Sequence, residues 1–234
     1  MLILGLHIGD KLETEFNRQA FQNHDSAAVL LRDGKIVAAI EEERLSRIKH
    51  CNFFPKRAID FCLRQAGITL SDIDYVAINS TEYDEFNKSL SNSFVNKSSK
   101  LQTGAQFVSN NFESFYQQSV ADRMVFCSHH NAHVWSVLTV SGFDESLGLI
   151  LDGDGPSGDG RPLAGKVGEA HGNEFELIRD ISTNLSLGNF YTTIIGIIGY
   201  DRFDEYKVMG LAPYGDPSRF RSVFKNLYNL KDNG

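Results

Sequence analysis

The chain opens on short apolar runs separated by polar turns. Residues 2 to 8 read as a buried strand, Ala27-Ala28-Val29-Leu30-Leu31 as a second and Ile36-Val37-Ala38-Ala39-Ile40 as a third, with Arg32-Asp33-Gly34-Lys35 a hairpin turn by composition. The period then changes from two to that of a helix. Pro55 starts a segment in which Ala58, Ile59, Cys62, Leu63 and Ala66 follow helical spacing, and Gly67 closes it. Ser71-Asp72-Ile73-Asp74 leads into Tyr75-Val76-Ala77-Ile78, a buried strand of parallel type. From Asn79 to Arg123 aliphatic residues are few and Ser, Asn and Gln many, which predicts an elaborated connection with a helix near Ser109 to Val120.

From Val125 the order repeats in outline. A short strand precedes a helix that begins at a histidine cluster; then come a strand over Leu147 to Leu151, a Gly-rich turn, a returning strand near Leu163 to Glu169, and Asn173 to Asp180 extending the sheet. Asn189 to Ile198 is helix-like and apolar, and a basic, polar helix precedes Gly234. Two copies of a β-hairpin unit predict an α/β chain: the ribonuclease-H-like lobe of the actin/hexokinase/Hsp70-type ATPase fold, a mixed sheet with flanking helices. Residues 1–180 read as the first lobe, with the elaborated connection at about 79–123, and 181–234 as the truncated start of the second.

Composition narrows the partners. The 234 residues are 41% hydrophobic and 23% charged, an ordinary globular balance, and the net charge of -7 argues against nucleic acid as the main partner. The apolar opening is short and lacks a basic leader, so no signal peptide or spanning helix is expected. Cys51, Cys62 and Cys127 are an odd number without a metal-binding spacing, and a reduced, cytoplasmic setting is expected.

The densest chemistry lies in Cys127-Ser128-His129-His130-Asn131-Ala132-His133 and in Leu151-Asp152-Gly153-Asp154-Gly155. On a helix, His129 and His133 project from one face at a spacing that one metal ion can bridge. Asp152, at the end of a buried strand and followed by glycines, is the candidate third ligand. The competing reading makes one histidine a helix cap and the other a buried, hydrogen-bonded residue. His130 falls on another face and reads as a supporting or structural group. Asp154 and Asp159 are within reach of a cation, although a Gly/Asp turn is more often only a turn.

Three further segments carry candidate chemistry. His24 in Asn23-His24-Asp25-Ser26 is either a general base, histidine being the residue type that exchanges protons near working pH, or a strand cap; Asp25 and Ser26 either orient it or bind substrate. The charge run Glu41 to His50 is either a solvated surface or turns its first glutamate and Arg44 or Arg47 toward a phosphate or carboxylate. Lys207 beside Gly210 and Gly215 meets the needs of an anion site without the spacing of a P-loop; the plain reading is a helix ending at Gly210 with Pro213 as a stop.

Five ordered blocks together resemble the O-carbamoyltransferase family of antibiotic and nodulation-factor biosynthesis. They are His24-Asp25-Ser26-Ala27-Ala28, Asp33 to Ala39, Glu42 to Lys49, His129-His130-Asn131-Ala132-His133 and, most specific, Glu205-Tyr206-Lys207-Val208-Met209-Gly210-Leu211-Ala212-Pro213-Tyr214-Gly215. The resemblance implies a large two-domain enzyme. One domain, similar to the universal tRNA threonylcarbamoyl-transfer protein, carries an iron-type divalent metal site. A second, similar to the bacterial protein that makes threonylcarbamoyl-adenylate, converts carbamoyl phosphate and ATP into carbamoyl-adenylate, whose carbonyl is attacked by a hydroxyl of a small natural product as AMP leaves. By that likeness His129, His133 and Asp152 are metal ligands, His24 contacts or deprotonates the acceptor hydroxyl, and Asp25, Ser26, Arg47, Lys207 and Gly210 are substrate or nucleotide contacts.

Two departures accompany the resemblance. Asp10 to Gln22 is longer than the family's usual loop at the acceptor rim. The chain is also expected to lack the C-terminal lobe, with a further Asp ligand and much of the adenosine site, and the adenylate-forming domain, supplied in cis or as a second chain. The alternatives are a small-molecule kinase of the same fold and a non-catalytic fragment that binds nucleotide or protein.

Overall fold

The computed structural model describes residues 1–9, 24–95, 101–157 and 161–229. The Asp10 to Gln22 loop and Asp159 lie outside them. Strands β1 (Leu2–His7), β2 (Ala27–Arg32) and β3 (Lys35–Glu41) form an antiparallel meander. Asp33 and Gly34 turn the hairpin with φ of 51° and 77°, the paired positive values that a tight two-residue connection requires. The short helix α1 (Glu42–Ser46) and the longer α2 (Lys56–Ala66) follow, and the chain then returns as β4 (Tyr75–Ile78), parallel to β1.

α2 forms because its apolar residues share one stripe. Ala58, Ile59, Cys62 and Leu63 are buried against β2 and β3, and Gly67, with φ of 65°, ends the helix as its spacing predicts. Glu42, buried, accepts the Ala58 N–H at 2.8 Å and so satisfies one of the orphan donors of the helix start. Leu4, Leu6, Leu30, Val76 and Ile78 continue the same core beneath it.

The connection over 79–123 differs from its expectation. Two helices fill it, α3 (Glu82–Val95) and α4 (Gly104–Tyr116), where a single helix near 109–120 is expected. A capping box between Thr103 and Gln106 starts α4 five residues before the expected helix, and Gln117, in the left-handed region, ends it. Val108 and Phe112 carry its core face, the latter against Phe54. β5 (Met124–Phe126) then completes a five-stranded mixed sheet in the order β3-β2-β1-β4-β5. This is the strand order of a ribonuclease-H-like lobe, as expected.

After α5 (His129–Ser141), β6 (Glu145–Pro156), β7 (Pro162–His171) and β8 (Glu174–Ser182) form a second antiparallel meander, followed by α6 (Leu187–Ile197), α7 (Glu205–Leu211) and α8 (Arg221–Lys225). The segment Asn173 to Asp180 extends the sheet of the two strands before it, as expected, and this three-stranded sheet is separate from the first. Gly142, with φ of 73°, ends α5 where the chain passes from one to the other, and there the meander of β1–β3 starts again. Among the described residues no helix is long and apolar enough to cross a membrane.

Candidate functional site

The parallel strands β1, β4 and β5 deliver His7, Asn79 and Cys127 to their carboxyl ends, where open α/β sheets hold their ligands. There they border a cavity of ≈ 670 Å³ that is also lined by Glu41, Arg44 and Ala132. His7 bridges the Asn79 side-chain oxygen and the His24 carbonyl, each at 2.8 Å. Burial pushes the His7 imidazole below its ordinary range, and the Asn79 contact only partly opposes it. Neither His7 nor Asn79 is a candidate by sequence; their signal was a polar residue at the end of each parallel strand.

At the start of α5, His129 and His133 turn their Nε2 atoms toward each other at 3.2 Å and toward Asp152 Oδ2 at 2.7 and 3.3 Å. One helical turn separates the two histidines, as the spacing predicts. Strand β6 itself and the N-cap of α6 fix the carboxylate. Gly153 N–H donates to Asp152 Oδ1 at 2.6 Å, and Ser186, the N-cap of α6, donates to the Asp152 or Gly153 carbonyl at 3.0 and 2.6 Å. Burial opposes the Asp152 charge, but hydrogen bonds from His129, His133 and Gly153 outweigh it and hold the carboxyl well below the usual carboxylate range. The same hydrogen bond raises His133.

These residues fit a metal ion. Ligands around one ion at bond lengths of about 2.1 Å lie roughly 3.0–3.4 Å apart, close to the separations seen between the three groups. Gly155 leaves room for the histidine: a Cβ there would stand 2.2 Å from His129 Cδ2. Gly155→Ala is therefore expected to displace the His129 ring and weaken ion binding about 10–100-fold, as loss of a supporting group does, measured by equilibrium dialysis with Zn2+ or Fe2+.

His130 is fully buried, and neither ring nitrogen has a hydrogen-bond partner among the described residues. One of its nitrogens lies within 4.8 Å of ligand atoms of His129 and Asp152, closer to the cluster than its place on another helix face suggests. Burial pushes it down to about 4. It binds no proton in the fold at pH values where the unfolded chain, titrating near 6.5, already does. Its contribution to stability is complete above pH 6.5 and falls away as the pH drops toward 4. Metal-free protein is expected to lose at most roughly 3 kcal/mol through this group over that window, and His130→Asn to flatten the dependence in denaturant titrations.

A second cluster lies at the start of β2. His24 Nδ1 lies 2.6 Å from Asp25 Oδ2, and His50 Nδ1 lies 3.1 Å from Asp25 Oδ1. Burial opposes the Asp25 charge, but the two histidines outweigh it and hold the carboxyl below the usual range. Ser26 is buried with its Oγ unpartnered among the described residues; its N–H donates to the Cys51 carbonyl at 2.9 Å. His50 and Phe203, which packs on both imidazole rings, were invisible to a reading of local motifs.

The remaining candidates lie elsewhere. Both arginines in the charge run are exposed; Arg44 lines the cavity beside Glu41, whereas Arg47 ends α1 in the left-handed region. Lys207 pairs with Asp204 at 2.6 Å on the exposed helix α7, and Gly210 faces open space, so no hydrogen bond or ion pair joins either to the histidine clusters among the described residues. Asp154 is exposed, 3.4 Å from the Asn189 amide.

Fold and site together define an α/β chain of ribonuclease-H-like topology in which helix α5 and strand β6 converge two histidines and an aspartate. A family model described as "Carbamoyltransferase N-terminus" matches residues 19–234, and the chain belongs to that carbamoyltransferase family. It is 43% identical over 214 residues to nodulation protein NolNO of Sinorhizobium fredii (strain NBRC 101917 / NGR234), which covers 90% of this chain and 31% of that protein. It is 32% identical over 228 residues to the uncharacterized protein sll1178 of Synechocystis sp., covering 90% of this chain and 36% of that one. The chain thus spans about a third of the length of these relatives. A solved structure, the ROK hexokinase from Thermus thermophilus, is similar with a TM-score of 0.46 and 12% identity, covering 94% of this chain and 72% of the hexokinase.

Proposed function

We propose that the chain is the ion-binding and acceptor-activating part of an O-carbamoyltransferase. A carbamoyl group made into carbamoyl-adenylate from carbamoyl phosphate and ATP is passed to a hydroxyl of a small natural product. The observation that carries the reading is the convergence of His129, His133 and Asp152 in a chain of this family. In this reading those three residues hold a divalent ion, iron by family likeness. When bound it supplies positive charge for the adenylate phosphate or the polarised carbonyl.

The other steps are assigned to groups of this chain. With its Nδ1–H donating a hydrogen bond to Asp25, His24 keeps the Nε2 lone pair, which takes the acceptor's proton as the acceptor oxygen bonds to the carbamoyl carbon. The bond from that carbon to the phosphate oxygen breaks, and AMP leaves. Asp25 and Ser26 border the acceptor, with Arg44 a better-placed cation than Arg47. Lys207 and Gly210 serve an anion only when further segments cover α7. The remaining lobe and the adenylate-forming domain come in cis or on a second chain, and the cytoplasm is the proposed setting.

The test uses radiolabelled carbamoyl phosphate, ATP and a panel of small hydroxyl compounds, with protein carrying the segments that the relatives have beyond the matched region. Label transferred to an acceptor with release of AMP supports the reading. An acceptor phosphorylated from ATP with release of ADP would instead support the kinase alternative.

A further inference from the structure

Three of the non-glycine residues with positive φ meet at the second cluster: Asp25 at 62°, His50 at 52° and Phe203 at 73°. Such backbone is uncommon outside glycine, and it persists where surrounding contacts over-determine it. Those contacts are visible. His50 follows α1, where the buried Glu43 carboxylate accepts the His50 N–H at 3.1 Å and the Lys49 ammonium at 2.7 Å. Phe203, between α6 and α7, stands 4.6 Å from the His24 ring centroid and 4.6 Å from that of His50, edge-on to the first and stacked on the second.

The Asp25 carboxylate is held from both sides. Its Oδ2 faces His24 and its Oδ1 faces His50. A carboxylate with one donor swings freely about its last torsion, which is broad; a second donor on the other oxygen fixes its plane. We propose that His50 is a positioning residue for His24: donating from Nδ1 to Asp25 Oδ1, it locks the carboxylate that accepts the hydrogen bond from His24 Nδ1–H, while Phe203 wedges the two rings in place. The proposal rests on the reading of His24 as the base. It adds a residue from the charge run and one from beyond the second sheet to the acceptor site.

Two substitutions of one residue test it. His50→Ala removes the donor, whereas His50→Asn places an amide N–H near the position of Nδ1. In proton-nitrogen NMR of the full chain, the His24 Nδ1–H signal is expected to be protected from water exchange in the parent and in His50→Asn, and lost in His50→Ala. In the transfer assay, His50→Ala is expected to lower kcat about 10- to 100-fold with KM changed less than about twofold, and His50→Asn to restore most of it. An unchanged His24 signal in His50→Ala, or equal impairment in the two variants, would overturn the proposal. If the signals behave as expected but no carbamoyl transfer is found with any acceptor, the positioning role stands and the reading of the reaction falls.

The same side chains also suit a cation, since one ligand atom from each of His24, Asp25 and His50 lies within 4.8 Å of the others. Equilibrium dialysis of the His129→Ala/His133→Ala double variant against Zn2+ separates the two roles. Positioning predicts no ion whose retention depends on His50; one ion per chain, released by His50→Ala, would overturn it.

Discussion

His24→Ala is expected to lower kcat for carbamoyl transfer by about 10²–10⁴-fold, the usual contribution of a positioned general base. The ion site should be untouched, because no hydrogen bond or ion pair links the His24 side chain to His129, His133 or Asp152 among the described residues. The informative comparison is therefore kcat against ion content in the same preparation. A variant that keeps its ion and loses kcat places the proton transfer at His24. Loss of both would show that the His24 side chain also supports the fold around the ion site, and would leave the assignment of the proton transfer to it without support.

Asp152→Ala is expected to release the ion and to abolish transfer. The carboxylate is the acceptor that both histidines share, and without it two imidazole nitrogens 3.2 Å apart face each other with nothing between them. Loss of an outer supporting group alone costs about 10–100-fold in ion affinity, so loss of this group is expected to exceed about 100-fold. Asp152→Asn keeps the shape and removes the charge. Retention of parent-like affinity in Asp152→Asn, measured by dialysis with Fe2+ or Zn2+, would remove Asp152 from the ligand set.

Legibility followed the range of the interactions. The hairpin at Asp33-Gly34 and helix α2 were readable because turn residues, periodicity and the terminal glycine all lie within a few positions of each other. His129 and His133 were readable for the same reason; Asp152 was picked out as a carboxylate ending a buried strand, whereas β6 runs on to Pro156 and Leu147, Leu149 and Leu151 along it are exposed. Of the two helices between 79 and 123, α4 was readable in part, expected near 109–120 and found at Gly104–Tyr116, whereas the polar composition of α3 concealed it. His50 and Phe203 reach His24 only after α1, the second sheet and α6 have been put in place. The charge run shows the difference most plainly: Glu42 and Glu43 turned inward to hold helix α2 and the His50 backbone, which no count of charges reveals.

The measurement that tests the account most directly is the metal content of the chain purified without added metal or chelator, compared with His129→Ala and His133→Ala. About one iron or related divalent ion per chain, absent from both variants, is the predicted result. An ion content equal in the parent and the two variants would contradict the site, and with it the reading of α5 and β6 as the centre of the transfer reaction.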